Sequence, residues 1–86
     1  MSWDVSSFRE KIENEHQFPG IYVFKFIVPV EKKQDVLDFL PDGDLSFRNS
    51  SNNTYVSVTL KANVNNSQEV VDVYEKAYNV QGIVAL

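Results

Sequence analysis

Ile21-Tyr22-Val23-Phe24-Lys25-Phe26-Ile27-Val28 is the stretch on which the reading of this chain turns. Seven of its eight residues are β-branched or aromatic, and it carries one charge. Such a run suits a strand with both faces largely covered, which means a central position in a sheet. Phe18-Pro19-Gly20 breaks whatever precedes it, and Pro29 closes it.

Working outward, Ser7-Phe8-Arg9-Glu10 reads as a capping box. Phe8 and Ile12, four apart, then share one side of a short helix at about 7–15. After the strand, residues 31–40 place Val36, Leu37 and Leu40 on one side of a second helix, stopped by Pro41-Asp42-Gly43. Leu45 and Phe47 alternate with Ser46 and Arg48 in a half-buried strand at 44–49, facing the helices. Asn49 to Asn53 is a loop. Residues 54–62 alternate again, with Val56, Val58 and Leu60 facing one way. Asn66-x-x-Glu69 is a second capping box, opening a helix at about 67–79. Residues 82–86 make a short last strand. The order β-α-β-β-α-β after an N-terminal helix predicts an α+β, ferredoxin-like two-layer sandwich. Its four-stranded antiparallel sheet has the first and third strands at the centre. We read residues 1–86 as a single domain, with 1–17 as an N-terminal extension.

The 86 residues are too few for a second domain. Eight Lys and Arg against twelve Asp and Glu give a formal charge of −4, which argues against a dedicated nucleic-acid or polybasic membrane binder. With no cysteine there is no disulfide, no thiolate catalysis and no Cys-type zinc site. No apolar run reaches the roughly 18 residues of a membrane span, and no signal-peptide pattern is present. The expected location is the cytoplasm.

Alternation also divides the strands into two faces. If Tyr22, Phe24, Phe26 and Val28 point at the helices, the opposite face collects Val23, Lys25, Ile27, Ser46, Arg48, Tyr55, Ser57, Thr59 and Lys61. That set holds three cations, several hydroxyls and no carboxylate. Solvent exposure alone accounts for polar residues on an open face, but not for the missing acids. The pattern suits an anionic small ligand or an acidic partner surface. Lys25 is the leading candidate, because Val23 and Ile27 beside it would partly desolvate its ammonium.

Other constellations carry less. His16, with Glu13 and Glu15, offers too few ligands for a transition-metal site. Asp42-Gly43-Asp44 lacks the further acids of a calcium loop and reads as a turn. Ser50 and Ser51 have no identifiable base, and Gly20, Gly43 and Gly82 form no phosphate loop. No nucleophile, base and orienting group come together, so we expect no enzyme, no cofactor and no metal. RNA-recognition modules share the topology, but they stack bases on open-face aromatics. Here only Tyr55 is offered on the third strand, with Ser57 and Thr59 beyond it.

Phe18-Pro19, Tyr22-x-Phe24-Lys25, Ser50-Ser51-Asn52-Asn53-Thr54-Tyr55-Val56-Ser57-Val58-Thr59 and Val70-x-x-Val73-Tyr74-Glu75 resemble the YbeD-like family of uncharacterised bacterial proteins, over about residues 16–86. The resemblance implies a ferredoxin-like fold likened to the ACT domains that bind amino acids and regulate enzymes. It points at Lys25, Ser51, Tyr55, Ser57 and Thr59, which overlaps the face derived from alternation together with Arg48 and Lys61. The expectation is a non-enzymatic regulatory domain that binds a small anionic metabolite or a regulated protein. A homodimer is also expected. The alternative is an assembly module whose open face is the homodimer interface, with no small-molecule ligand.

Overall fold

A computed structural model describes residues 4–86. Helix α1 (Val5–Glu15) is followed by strand β1 (Gly20–Pro29), a 3-10 turn at Val30–Lys32, and α2 (Lys33–Phe39). Then come β2 (Asp44–Asn49), β3 (Tyr55–Val64), α3 (Ser67–Ala77) and β4 (Val84–Ala85). The sheet order is β2-β3-β1-β4, with every neighbouring pair antiparallel. This is the ferredoxin-like sandwich with an added N-terminal helix, and β1 and β3 are its central strands. Among the described residues no helix is long and apolar enough to cross a membrane.

The core follows from the pairing of the two central strands. Tyr22, Phe24, Phe26 and Val28 stand opposite Ala62, Leu60, Val58 and Val56, and all eight are buried. Opposed residues in an antiparallel pair point to one side of the sheet. A single apolar slab therefore faces the helices. Helix α3 closes it with Val70, Val71, Val73, Tyr74 and Ala77. Tyr74 meets the edges of Phe8 from α1 (4.9 Å between centroids) and of Phe26 (5.5 Å). Burial and a hydrogen bond with Tyr22 raise the pKa of the Tyr74 phenol, so it stays neutral and protonated. Helix α1 adds Ile12 to the core and is tied to α3 by hydrogen bonds from Arg9 to Gln68 and from Ser67 to Glu13.

Several local expectations need correction. α1 starts earlier than the capping box at Ser7 suggests. Its N-cap is Asp4, whose carboxylate accepts from the Ser7 amide (3.1 Å) and the Ser7 hydroxyl (2.9 Å). Ionised Asp is as good a cap as Ser and sits three residues upstream, so it takes the donor. In the second box Asn66 does accept from the Glu69 amide (3.1 Å), but the Glu69 carboxylate reaches back to the backbone and side chain of Asn65. The helix expected at 31–40 opens as a 3-10 turn, and only Val36 of its apolar side is fully buried. The last strand is shorter than 82–86.

Strand β2 is the largest departure. Leu45 and Phe47 stand opposite Leu60 and Val58, so they do face the helix side. Yet they are 39% and 41% exposed, and every residue of β2 is exposed. Helix α2 has seven residues, too short to roof an edge strand as well as the centre. Lys33 covers Phe47 with its ammonium 4.1 Å from the ring centre.

Phe24→Ala should cost about 3–5 kcal/mol in urea unfolding. That is most of the roughly 4–13 kcal/mol expected for a chain of this length. Phe47→Ala should cost about 1 kcal/mol or less, since it loses an exposed ring and one cation–π contact. Equal losses at the two positions would contradict the assigned burial.

A second expectation concerns acid. The hydrogen bond from the Ser7 amide, and then that from its hydroxyl, hold the Asp4 carboxyl below its ordinary value. The fold therefore favours the ionised cap: its contribution is intact above the unfolded carboxyl range and is lost as pH falls through the lowered value. Amide protection factors in the first turn of α1, taken relative to the intrinsic exchange rate at each pH, should fall over that descent. In Asp4→Asn, whose cap does not titrate there, the fall should vanish.

Candidate functional site

Because β1, β3 and β2 pair without interruption, the open face can be read row by row. One row runs Arg48–Ser57–Ile27–Val84 across all four strands, the next Ser46–Thr59–Lys25, and the third Asp44–Lys61–Val23. Lys25, Arg48, Ser57, Thr59 and Lys61 thus share one face, as alternation requires. The cross-strand spacing is roughly 4.8 Å and the rise about 3.4 Å per residue. Lys25 and Arg48 are therefore about 12 Å apart at their Cα atoms, within reach of one another's long side chains.

The expectation of a face without carboxylates fails at Asp44. Its side chain lies on this face directly opposite Lys61. Asp44 opens the strand expected at 44–49, but reading it together with the Asp42-Gly43 turn left it out of the open-face set. An opposite charge directly across the strand lowers the positive potential at Lys61 and weakens its claim as an anion ligand. The sheet face still carries Lys25, Arg48 and Lys61 against one acid, a formal +2, while the rest of the chain holds five cations and eleven acids, a formal −6. Lys25 itself is exposed, so its apolar neighbours do not desolvate it as proposed from the sequence.

Concavity picks out one end of the face. A shallow depression of about 270 Å³ is lined by Ile27, Arg48, Asn49, Ser50, Tyr55 and Ser57. The structure therefore gathers Arg48, Ser57 and Tyr55. It leaves Lys25, Thr59, Lys61 and Ser51 outside the depression. Ser50 takes the place expected of Ser51. Its amide donates to the Tyr55 carbonyl (2.9 Å) and its hydroxyl accepts from the Tyr55 amide (3.1 Å), so the hairpin pairing extends one step beyond β2. The signal was in the sequence: Ser50 has the same parity as Arg48 and Ser46, and ending the strand at Asn49 concealed it. The loop closes through Asn53, whose φ of +57° is left-handed backbone and whose side chain accepts from Asn49 (3.1 Å).

A family model described as "Protein of unknown function (DUF493)" matches residues 13–85. The chain belongs to the DUF493 family. That bears out the YbeD-like resemblance. No curated protein and no solved structure matches the chain. All residues of the depression lie within the DUF493 match, whereas most of α1, including Phe8 and Ile12, precedes it.

Turn chemistry makes a measurable expectation. Asn53→Ala should destabilise the domain by roughly 1–2 kcal/mol, because a Cβ without a local polar partner disfavours left-handed backbone. Asn53→Gly should be close to neutral. Chemical denaturation of the three proteins checks this, and a neutral Asn53→Ala would remove the strain argument.

Proposed function

We propose that this chain is a non-enzymatic, regulatory binding module of the cytoplasm, ACT-like in use as in topology, which takes a small anionic ligand at the Arg48 end of its open sheet face. The observation that carries the reading is the depression itself, whose lining brings Arg48 together with Ser50, Ser57, Tyr55 and Ile27. A guanidinium supplies paired donors to a carboxylate or phosphate, and hydroxyls complete the shell. Lys25, one row away, adds long-range attraction, and the +2 face draws anions that the remaining −6 surface repels. A homodimer packed face to face would instead oppose two +2 surfaces, which is why the ligand reading is preferred.

A homodimer joined at a sheet edge is a second reading that one observation favours. The outer side of β2 pairs with no strand among the described residues, and it presents the exposed apolar side chains of Leu45 and Phe47. Edges of this kind pair readily with another copy. Such a dimer leaves the open face free and is compatible with a ligand there.

The test is a thermal-shift screen over amino acids, phosphorylated metabolites and cofactors. A ligand at 100 times its Kd adds about 2.7 kcal/mol. Anions are expected among the hits. Arg48→Ala should weaken a hit at least tenfold, since hydrogen bonds to charged groups are worth about 1.5–3 kcal/mol. Lys25→Ala should weaken it by a smaller factor. A hit indifferent to Arg48→Ala would move the site elsewhere, and a purely cationic set of hits would overturn the reading. Light scattering of Phe47→Glu against wild type at tens of micromolar separately decides the edge dimer.

A further inference from the structure

Strand β2 carries the means of pairing with itself. The Ser50 amide donates to the Tyr55 carbonyl across the hairpin (2.9 Å). Main-chain groups alternate in direction along a strand, so those of Ser46 and Arg48 also face β3, and those of Leu45 and Phe47 face away from it. Among the described residues no strand but β3 pairs with β2. The outer edge thus holds unpaired donors and acceptors at Leu45 and Phe47, whose side chains are exposed on the helix side. On the open face the same edge presents Asp44, Ser46 and Arg48. Asp44 and Arg48 are four residues apart, about 14 Å along the strand, and do not reach each other within one chain.

A two-fold axis perpendicular to the sheet sets β2 antiparallel to its copy and keeps both helix layers on one side. Centred on Ser46, the pairing sets Leu45 opposite the partner's Phe47 and Asp44 opposite the partner's Arg48, each twice by symmetry. The Asp44 pairs are then of the non-hydrogen-bonded kind, in which side chains stand closer. Opposite charges placed directly across two strands attract, and like charges there destabilise. On the helix side, Leu45 lines a shallow groove of about 220 Å³ with Leu37, Leu40, Pro41 and Leu60, and the partner's Phe47 would stand at its edge. Centred on Phe47 instead, the pairing sets Arg48 opposite the partner's Ser46 and Leu45 opposite the partner's Asn49, and both matches are lost. Centred on Leu45, it sets Phe47 and Arg48 opposite the partner's turn residues at 43 and 42, outside the strand.

We propose that two copies of this chain pair along β2 with Ser46 on the two-fold axis, so that the partner's Asp44 becomes part of the Arg48 site and competes there with an anion. The charge match selects a second copy as the occupant of the edge, because this one sequence supplies both members of each ion pair at the spacing the two-fold requires. The open face itself stays accessible, yet the partner's carboxylate takes the guanidinium that an anionic ligand would use. Dimer and anion therefore oppose one another, each weakening the other by the same factor. The dimer rests on β2 alone, whereas the competition rests also on the ligand reading above.

The chain has no cysteine, so Ser46→Cys supplies a single thiol. On the axis the two Cα atoms would be about 4.5 Å apart, within the span of a disulfide. Under mild oxidation Ser46→Cys should cross-link at least tenfold faster than Phe47→Cys or Thr59→Cys. In sedimentation, Asp44→Arg and Arg48→Asp should each raise the dimer midpoint at least tenfold, because like charges then face each other twice. An equimolar mixture of the two variants, or both exchanges in one chain, should restore it. Should a charge variant fail to fold, the cysteine comparison makes the test with both charges in place. Inorganic phosphate should raise the wild-type midpoint at least threefold over chloride at equal ionic strength. A monomer at tens of micromolar, faster cross-linking at position 47, or no restoration by the exchanged charges would overturn the dimer. A dimer that passes these tests while phosphate leaves its midpoint unmoved would overturn the competition. Screening hits that lose affinity in Arg48→Ala would uphold the ligand site in either case, so the two readings fail separately.

Discussion

Ten consecutive residue pairs join β1 to β3, from Gly20 opposite Val64 to Pro29 opposite Tyr55. They fix which side chains are inside and which are outside. Slipping one strand by a single residue would send Phe24 and Phe26 to solvent and bring Lys25 under the helices. Because Phe24, Phe26, Val58 and Leu60 are fully or almost fully buried, such a slip is prohibitively unfavourable. The helices rest on the apolar side of this ladder, and the polar rows on the other side are held in place by the same pairing.

Charge is distributed accordingly. An acidic chain keeps its acids on helices and loops, where water solvates them, and leaves a modestly positive sheet face. Asp44 is the exception, and its place opposite Lys61 tilts the positive potential toward the Arg48 and Lys25 rows. The concave end of the face coincides with the row farthest from Asp44. Gly43, next to Asp44, permits the close approach that places β2 there: a Cβ at this position would lie 2.4 Å from the Lys61 carbonyl oxygen.

The faces of β3 were legible because its alternation is strong; in β1 only Lys25 marked the open face, and the expectation of a strand covered on both faces fails, since Ile21, Val23 and Lys25 are exposed. Strand β2 shows the limit. Its parity was correct, since Leu45 and Phe47 do point to the helix side, but parity says nothing about whether a helix is long enough to cover them. The start of α1 was misread because Asp4 and Ser7 both qualify as caps, and Asp4, three residues upstream, holds the Ser7 amide and hydroxyl. In the candidate site Arg48, Ser57 and Tyr55 were found from alternation, whereas Ser50 and Asn49 depend on where the hairpin loop begins.

The connection between β1 and β3 has a kinetic side. β2 and β3 form a local hairpin, with Asn49 opposite Val56. The ladder that holds the core instead pairs Gly20 with Val64 and brings together residues separated by α2, the turn and all of β2. Closing that longer loop loses chain entropy before any of the buried aromatic contacts is made. Search for the β1–β3 register, rather than growth of helices or of the hairpin, therefore governs how fast this chain reaches its native state. It places the domain among mixed α/β folders, slower than helical bundles of the same size. Until β1 docks, its run of seven apolar or aromatic residues in eight is unpaired on both sides. During that interval the strand that later organises the fold is also the segment most open to pairing with the wrong chain.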